Sequence, residues 1–84
     1  MNKDQVFVEV INVIINVLGK TTQVQSITLE TTIPYLNFDS LELIEVTIEL
    51  EEVFAINIDD ATTASWKLVD DIVNTCYNLI LKQS

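Results

Sequence analysis

Eighty-four residues carry 13 acidic side chains against four basic ones, with no histidine, for a formal net charge of −9 at neutral pH. Four lysines and no arginine cannot neutralise a phosphate backbone, which excludes a nucleic-acid binder of the usual kind, and the same charge is repelled by anionic membrane surfaces. One cysteine and no histidine leave neither an internal disulfide nor an ordinary metal site.

An apolar content of 49% with a single Gly and a single Pro favours one small domain of continuous helices, residues 1–84. No apolar run reaches the ~18 residues needed to span a bilayer. The N-terminus, Met1-Asn2-Lys3-Asp4, lacks a basic region followed by an apolar block, so no secretory signal is expected and the cytoplasm is the expected location.

Residues Asp4 to Leu18 are rich in Val and Ile, and periodicity decides between strand and helix. Phe7, Ile11, Ile14, Ile15 and Leu18 share a helical stripe, whereas strict alternation fails at Val13-Ile14-Ile15. A helix is predicted, capped by Asn2 or Asp4 and ended at Gly19. From Lys20 to Phe38 runs a long connection rich in Thr and Gln, with Ile27, Leu29, Ile33, Leu36 and Phe38 as apolar anchors that pin it across the other helices. Pro34 biases Ile33 to an extended conformation, so no long helix is expected there.

The second long helix runs from Ser40 to Phe54. Asp39 can accept hydrogen bonds from the unpaired N–H groups of the first turn, and Glu42, three positions on, completes a capping-box pattern. Ser40 then opens the helix with its hydroxyl at the surface. Steps of about 100° per residue place Leu43, Val46, Leu50, Val53 and Phe54 on a core-facing arc. The opposite arc carries Leu41, Ile44 and Ile48 among Glu45, Glu49, Glu51 and Glu52. A solvated face does not need three aliphatic residues, and crowded glutamates repel one another. Aliphatic area ringed by carboxylates reads as a docking surface for a basic partner.

Asp59 to Thr63 can form one short helical turn with Asp59 as cap. The last helix is expected from about Ser65 to about Leu81, with Val69, Ile72, Val73, Cys76 and Ile80 facing inward; Cys76 there has a buried apolar role rather than a reactive one. Asp70 and Asp71 near its start and Lys82 at its end suit the helix dipole. The predicted fold is all-α: a small antiparallel bundle of three main helices plus one short helix, with a long loop between the first and second helices.

Leu36, Asp39-Ser40-Leu41, Glu45, Leu50-Glu51-Glu52, Phe54, Ile56 and Ile58, with their spacing, resemble the acyl carrier proteins, and weaker similarity continues through Leu68-Val69-Asp70 and Ile72. The chain departs from that family's pattern at Asn37, where Gly is usual, at Phe38, at Asp59, where Pro is frequent, and at Trp66, where small residues are common.

The resemblance implies that Ser40 accepts a 4′-phosphopantetheine arm from coenzyme A, beside Asp39, and that acyl groups ride on the arm's thiol as thioesters for fatty-acid or polyketide type biosynthetic enzymes. The implied partners are a phosphopantetheinyl transferase and acyl-transferring and chain-elongating enzymes with basic patches, docking on Leu41, Ile44, Glu45, Ile48, Glu49, Glu51 and Glu52. A serine hydroxyl needs a base for activation, and this chain has no histidine, so the transferase must provide one. The start at Met1 and the end shortly after the last helix suggest a free-standing carrier, and a monomer is expected. Two alternatives stand beside it: a peptidyl or aminoacyl carrier, and an unmodified acidic helical adaptor for a basic protein. Catalysis by the chain itself is not expected, since its carboxylates lie along a helix surface away from any predicted desolvated cleft.

Overall fold

The computed structural model describes residues 1–19 and 27–83, so the first seven residues of the predicted long connection, 20–26, lie outside the described residues. Five helices follow one another: α1 (Lys3–Leu18), α2 (Ile33–Leu36), α3 (Ser40–Phe54), α4 (Asp60–Ser65) and α5 (Val69–Lys82). The three long ones form the expected all-α bundle. Among the described residues there is no strand, only an isolated antiparallel bridge between Thr32 and Leu68.

α1 starts at Asn2 through a reciprocal cap: the Asn2 side chain accepts from the Gln5 N–H, and the Gln5 side chain accepts from the Asn2 N–H, both at 2.9 Å. It stops at Gly19, whose φ of 73° is open to glycine and strained for other residues. α1 packs against both α3 and α5, and this decides which of its side chains are buried. Val6, Val10, Ile11, Val13 and Ile14 form its buried face, while Phe7, Ile15 and Leu18 of the predicted stripe lie half-buried at the margin. A helix gripped from two sides needs a wider and differently centred apolar arc than one lying on a single surface. Burial there also outweighs the weak helix propensity of Val and Ile.

The described part of the long connection is pinned as expected. Ile27 and Leu36 are buried, and Leu29, Ile33 and Phe38 pack against the core. The connection also holds the four-residue α2, a turn not marked from sequence. Thr32 caps it by accepting from the Tyr35 N–H, and Pro34 sits in the first turn, where no backbone donor is required. Upstream of α2 the chain runs beside the start of α5. The Ile33 N–H donates to the Lys67 carbonyl (2.8 Å), and the N–H groups of Val69 and Asp70 donate to the carbonyls of Thr31 and Leu29 (2.9 Å each).

This strap explains why α5 begins at Val69 and not near Ser65. Trp66 and Leu68 take extended backbone, which buries the Trp66 ring and presents Lys67 and Leu68 to the strap. The indole N–H donates to the Thr75 hydroxyl at 3.0 Å. α4 forms where one helical turn was expected and is capped by Asp59, as predicted. α5 buries Val69, Ile72, Val73 and Cys76, with Ile80 half-buried at the end of the stripe.

Among the described residues no polar or charged residue is buried. Stability therefore comes from aliphatic packing, at about 1.5–3 kcal/mol for each fully buried side chain such as Ile14, Leu50 or Ile72. No helix of the structure, among the described residues, is long and apolar enough to cross a membrane.

Candidate functional site

The mouth of α3 has the geometry expected from its sequence. Asp39 is extended (φ −82°, ψ 175°), and its carboxylate accepts from the Glu42 N–H at 2.7 Å. The Glu42 carboxylate returns to the Asp39 N–H at 3.0 Å, and the Asp39 carbonyl accepts from the Leu43 N–H at 3.1 Å. The two side-chain bonds satisfy donors that a helix start otherwise leaves to water, and the third is the first regular bond of the helix. The chain reaches this point through Asn37, which ends α2 in the left-handed region (φ 56°, ψ 42°) with its N–H on the Pro34 carbonyl. Asn tolerates that conformation better than most residues other than Gly.

Ser40 is the first residue of α3 and is exposed; among the described residues nothing holds its hydroxyl in a hydrogen bond. It can be approached from outside. Among the described residues no side chain is hydrogen-bonded to it as a base, and the chain has no histidine to serve as one.

The outer face of α3 carries the aliphatic residues placed there from sequence. Leu41 is 63% exposed, Ile44 54% and Ile48 48%. The acidic residues divide into two kinds. Glu45 and Glu52 are exposed, and no hydrogen bond or ion pair engages them among the described residues. Glu49 is half-buried and accepts from the Asn16 side chain at 2.9 Å, a tie between α3 and α1. Glu51 is half-buried as well and accepts from the Ile58 N–H at 2.8 Å, which fastens the connection leaving α3. So the crowding of glutamates near the end of α3 has a structural cause for two of them. No sequence spacing signals these ties, because the Asn16–Glu49 and Glu51–Ile58 approaches depend on how α1 and the following loop pack.

Val53, expected in the core, is 48% exposed, and Leu43 is half-buried, whereas Val46, Leu50 and Phe54 are buried. Val53 instead lies on the wall of an open groove between α1 and α3, with Glu9, Asn12, Asn16, Glu49 and Glu52. Among the described residues no three acidic, Cys or His side chains gather closely enough to hold a metal ion. Cys76 is buried, and that burial pushes its thiol up to about 12, so it is an inert apolar residue.

Comparison with known proteins finds relatives in both sequence and structure. A family model described as the phosphopantetheine attachment site matches residues 8–76. The chain is 37% identical over 75 residues to an acyl carrier protein of Exiguobacterium sibiricum, covering 88% of this chain and 92% of that one. It is 44% identical over 50 residues to the acyl carrier protein of Phytoplasma australiense, covering 58% of this chain. The chain spans 66% of the length of that phytoplasma relative and 50% of that of two others.

In structure it is similar to the acyl carrier protein of Thermotoga maritima, with a TM-score of 0.83, 18% identity, and coverage of 100% of this chain and 96% of that one. At that identity the likeness speaks for the fold, while the family model and the relatives speak for descent. The chain belongs to the acyl carrier proteins, whose attachment domain bears 4′-phosphopantetheine as its prosthetic group.

Proposed function

We propose that this chain carries acyl intermediates as thioesters on a 4′-phosphopantetheine arm joined to the Ser40 hydroxyl, for enzymes of fatty-acid or polyketide type biosynthesis. The observation that carries this reading is an exposed hydroxyl, without a hydrogen bond among the described residues, at the mouth of a capped helix whose outer side is aliphatic and anionic. The residues present suit the group. Ser40 offers an oxygen in the open, and a phosphodiester formed there lies at the N-terminal end of α3, where the helix dipole favours an anion. The arm supplies a thiol on a flexible tether.

The remaining work of this chain is presentation. Asp39 and Glu42 hold the helix mouth in shape while a transferase supplies the base. Leu41, Ile44 and Ile48 give contact area, and Glu45 and Glu52 give charge for basic patches on acyl-transferring and chain-elongating enzymes. Glu49 and Glu51 stand at the edge of that surface, each already tied within the fold. Such docking is weak and salt-sensitive, as a protein that must leave each partner requires. The reading takes the chain as a single, monomeric carrier domain that catalyses nothing itself and works in the cytoplasm.

The test is intact mass after treatment with a phosphopantetheinyl transferase and coenzyme A. One phosphopantetheinyl unit is expected on the wild type and none on Ser40→Ala. An equal gain on both, or no gain on the wild type, refutes the assignment and leaves an unmodified acidic adaptor as the better account. Cargo analysis of protein isolated from its own cells separates acyl from aminoacyl carriage.

A further inference from the structure

We infer that Asp71, at the start of α5, is a positioning residue for the loading reaction: its carboxylate closes the clip that holds α2 and, through α2, the mouth of α3 carrying Ser40. This rests on the assignment of Ser40 as the attachment point.

One oxygen of the Asp71 carboxylate accepts from two successive backbone donors, the N–H groups of Lys67 (2.8 Å) and Leu68 (2.9 Å), while the Asp71 N–H donates to the Leu68 carbonyl at 3.0 Å. A charged acceptor on two adjacent N–H groups fixes the orientation of that peptide segment more firmly than a neutral one does. The same segment is what the strap grips: Lys67 accepts from Ile33, Val69 donates to Thr31, and Thr32 pairs with Leu68. Ile33 is the first residue of α2, α2 is only four residues long, and Ser40 follows four positions after its end.

The chain between the clip and Ser40 has little slack. Thr32 and Pro34 fix the start of α2, Asn37 turns the chain through the left-handed region, and Asp39 caps α3. Leu36 is buried and Phe38 packs against the core, so the segment cannot swing freely about its ends. α3 gains most of its packing from α1 and touches α5 only lightly. Among the described residues, the strap is the hydrogen-bonded route from the start of α5 to the segment that leads into the α3 mouth. Two further ties at the ends of α5, the Lys3–Asp70 ion pair (3.1 Å) and the side chain of Gln83, just past the helix, on the Ala55 carbonyl, act on α1 and on the far end of α3. Neither reaches Ser40.

A transferase must find the Ser40 hydroxyl in register with its own base. If only a fraction of carriers hold the mouth in register, the apparent affinity falls to that fraction of its full value while turnover of the bound carrier is kept. Loss of the clip should therefore appear in KM. Steady-state loading by a phosphopantetheinyl transferase with coenzyme A is measured on wild type, Asp71→Ala, Asp71→Asn and Thr75→Val. The last removes the Trp66 indole's acceptor on the same helix and leaves the clip intact.

Expected for Asp71→Ala is a KM for the carrier raised about three- to tenfold with kcat within about twofold. Asp71→Asn, which retains a neutral acceptor, should recover part of the change, and Thr75→Val should keep the wild-type KM despite a lower Tm. If Asp71→Ala does not fold, the Asp71→Asn and Thr75→Val comparison decides. An unchanged KM in the Asp71 variants, or an equal rise in Thr75→Val, overturns the positioning role. A wild type that is not loaded at all fails at the earlier step, and the positioning role falls with it.

Discussion

Removal of the carboxylate that caps α3 tests the local account of the site. In Asp39→Ala two bonds of the reciprocal cap are affected: the 2.7 Å bond from the Glu42 N–H disappears, and the 3.0 Å bond from the Asp39 N–H to Glu42 loses its restraint. Both residues are at the surface, so water replaces the lost partners and no buried donor is stranded. The cost is then that of a cap plus the interaction of a negative charge with the helix dipole. Together these come to about 1–2 kcal/mol, a fall in Tm of about 5–10 °C for a domain of this size.

Thermal unfolding followed by circular dichroism, with exchange of the Glu42 and Leu43 amides, is the assay. Asp39→Asn keeps an acceptor of nearly equal capping strength and should lose only the charge contribution, under about 1 kcal/mol. Equal losses in the two variants would show that the charge, and not the hydrogen bond, stabilises the mouth. No loss in either would refute the capping account altogether.

Ala55 ends α3 in the left-handed region (φ 54°, ψ 51°), where a Cβ is strained, so Ala55→Gly should raise stability by about 0.5–1 kcal/mol, read as a higher urea midpoint. Bonds from the Thr62 side chain and backbone lower the Asp59 carboxyl, and the Lys67 and Leu68 N–H groups lower that of Asp71. A depressed folded value gives stability that is present above the unfolded carboxylate value of about 4 and lost as pH falls below it. Asp71→Asn should accordingly flatten the acid limb of the stability curve. Cys76 has the opposite sign: its folded thiol is raised to about 12, so its contribution is full below the unfolded value of about 8.5 and declines as pH climbs from there. The urea midpoint should fall more steeply between about pH 9 and 11 in the wild type than in Cys76→Ala; parallel slopes would contradict the burial argument.

Much of the site could be read from neighbouring residues. The Asp39–Glu42 cap, the exposed Ser40 and the outward Leu41, Ile44 and Ile48 all follow from spacing within one helix, where geometry is fixed at 3.6 residues per turn and needs no knowledge of the rest of the fold. The anchors Ile27 and Leu36 and the cap at Asp59 were legible for similar reasons. Ambiguity began where a residue's environment depends on a second element. Val53 has an inward position by periodicity, yet faces the groove beside α1, and the α1 stripe is right in Ile11 and Ile14 but extends to Val6, Val10 and Val13 because two helices press on it at once.

The sequence by itself determined that this is an all-α bundle with one serine at the mouth of a capped, acidic, aliphatic helix, because helix periodicity and capping are local and act within a few residues. Tertiary structure alone decided that Glu49 belongs partly to Asn16 and Glu51 to the Ile58 N–H, that Ala55 turns left-handed, and that α5 waits until Val69. These outcomes join groups from different elements or answer to their packing. The free energy of such contacts depends on the full arrangement, which no window of sequence contains.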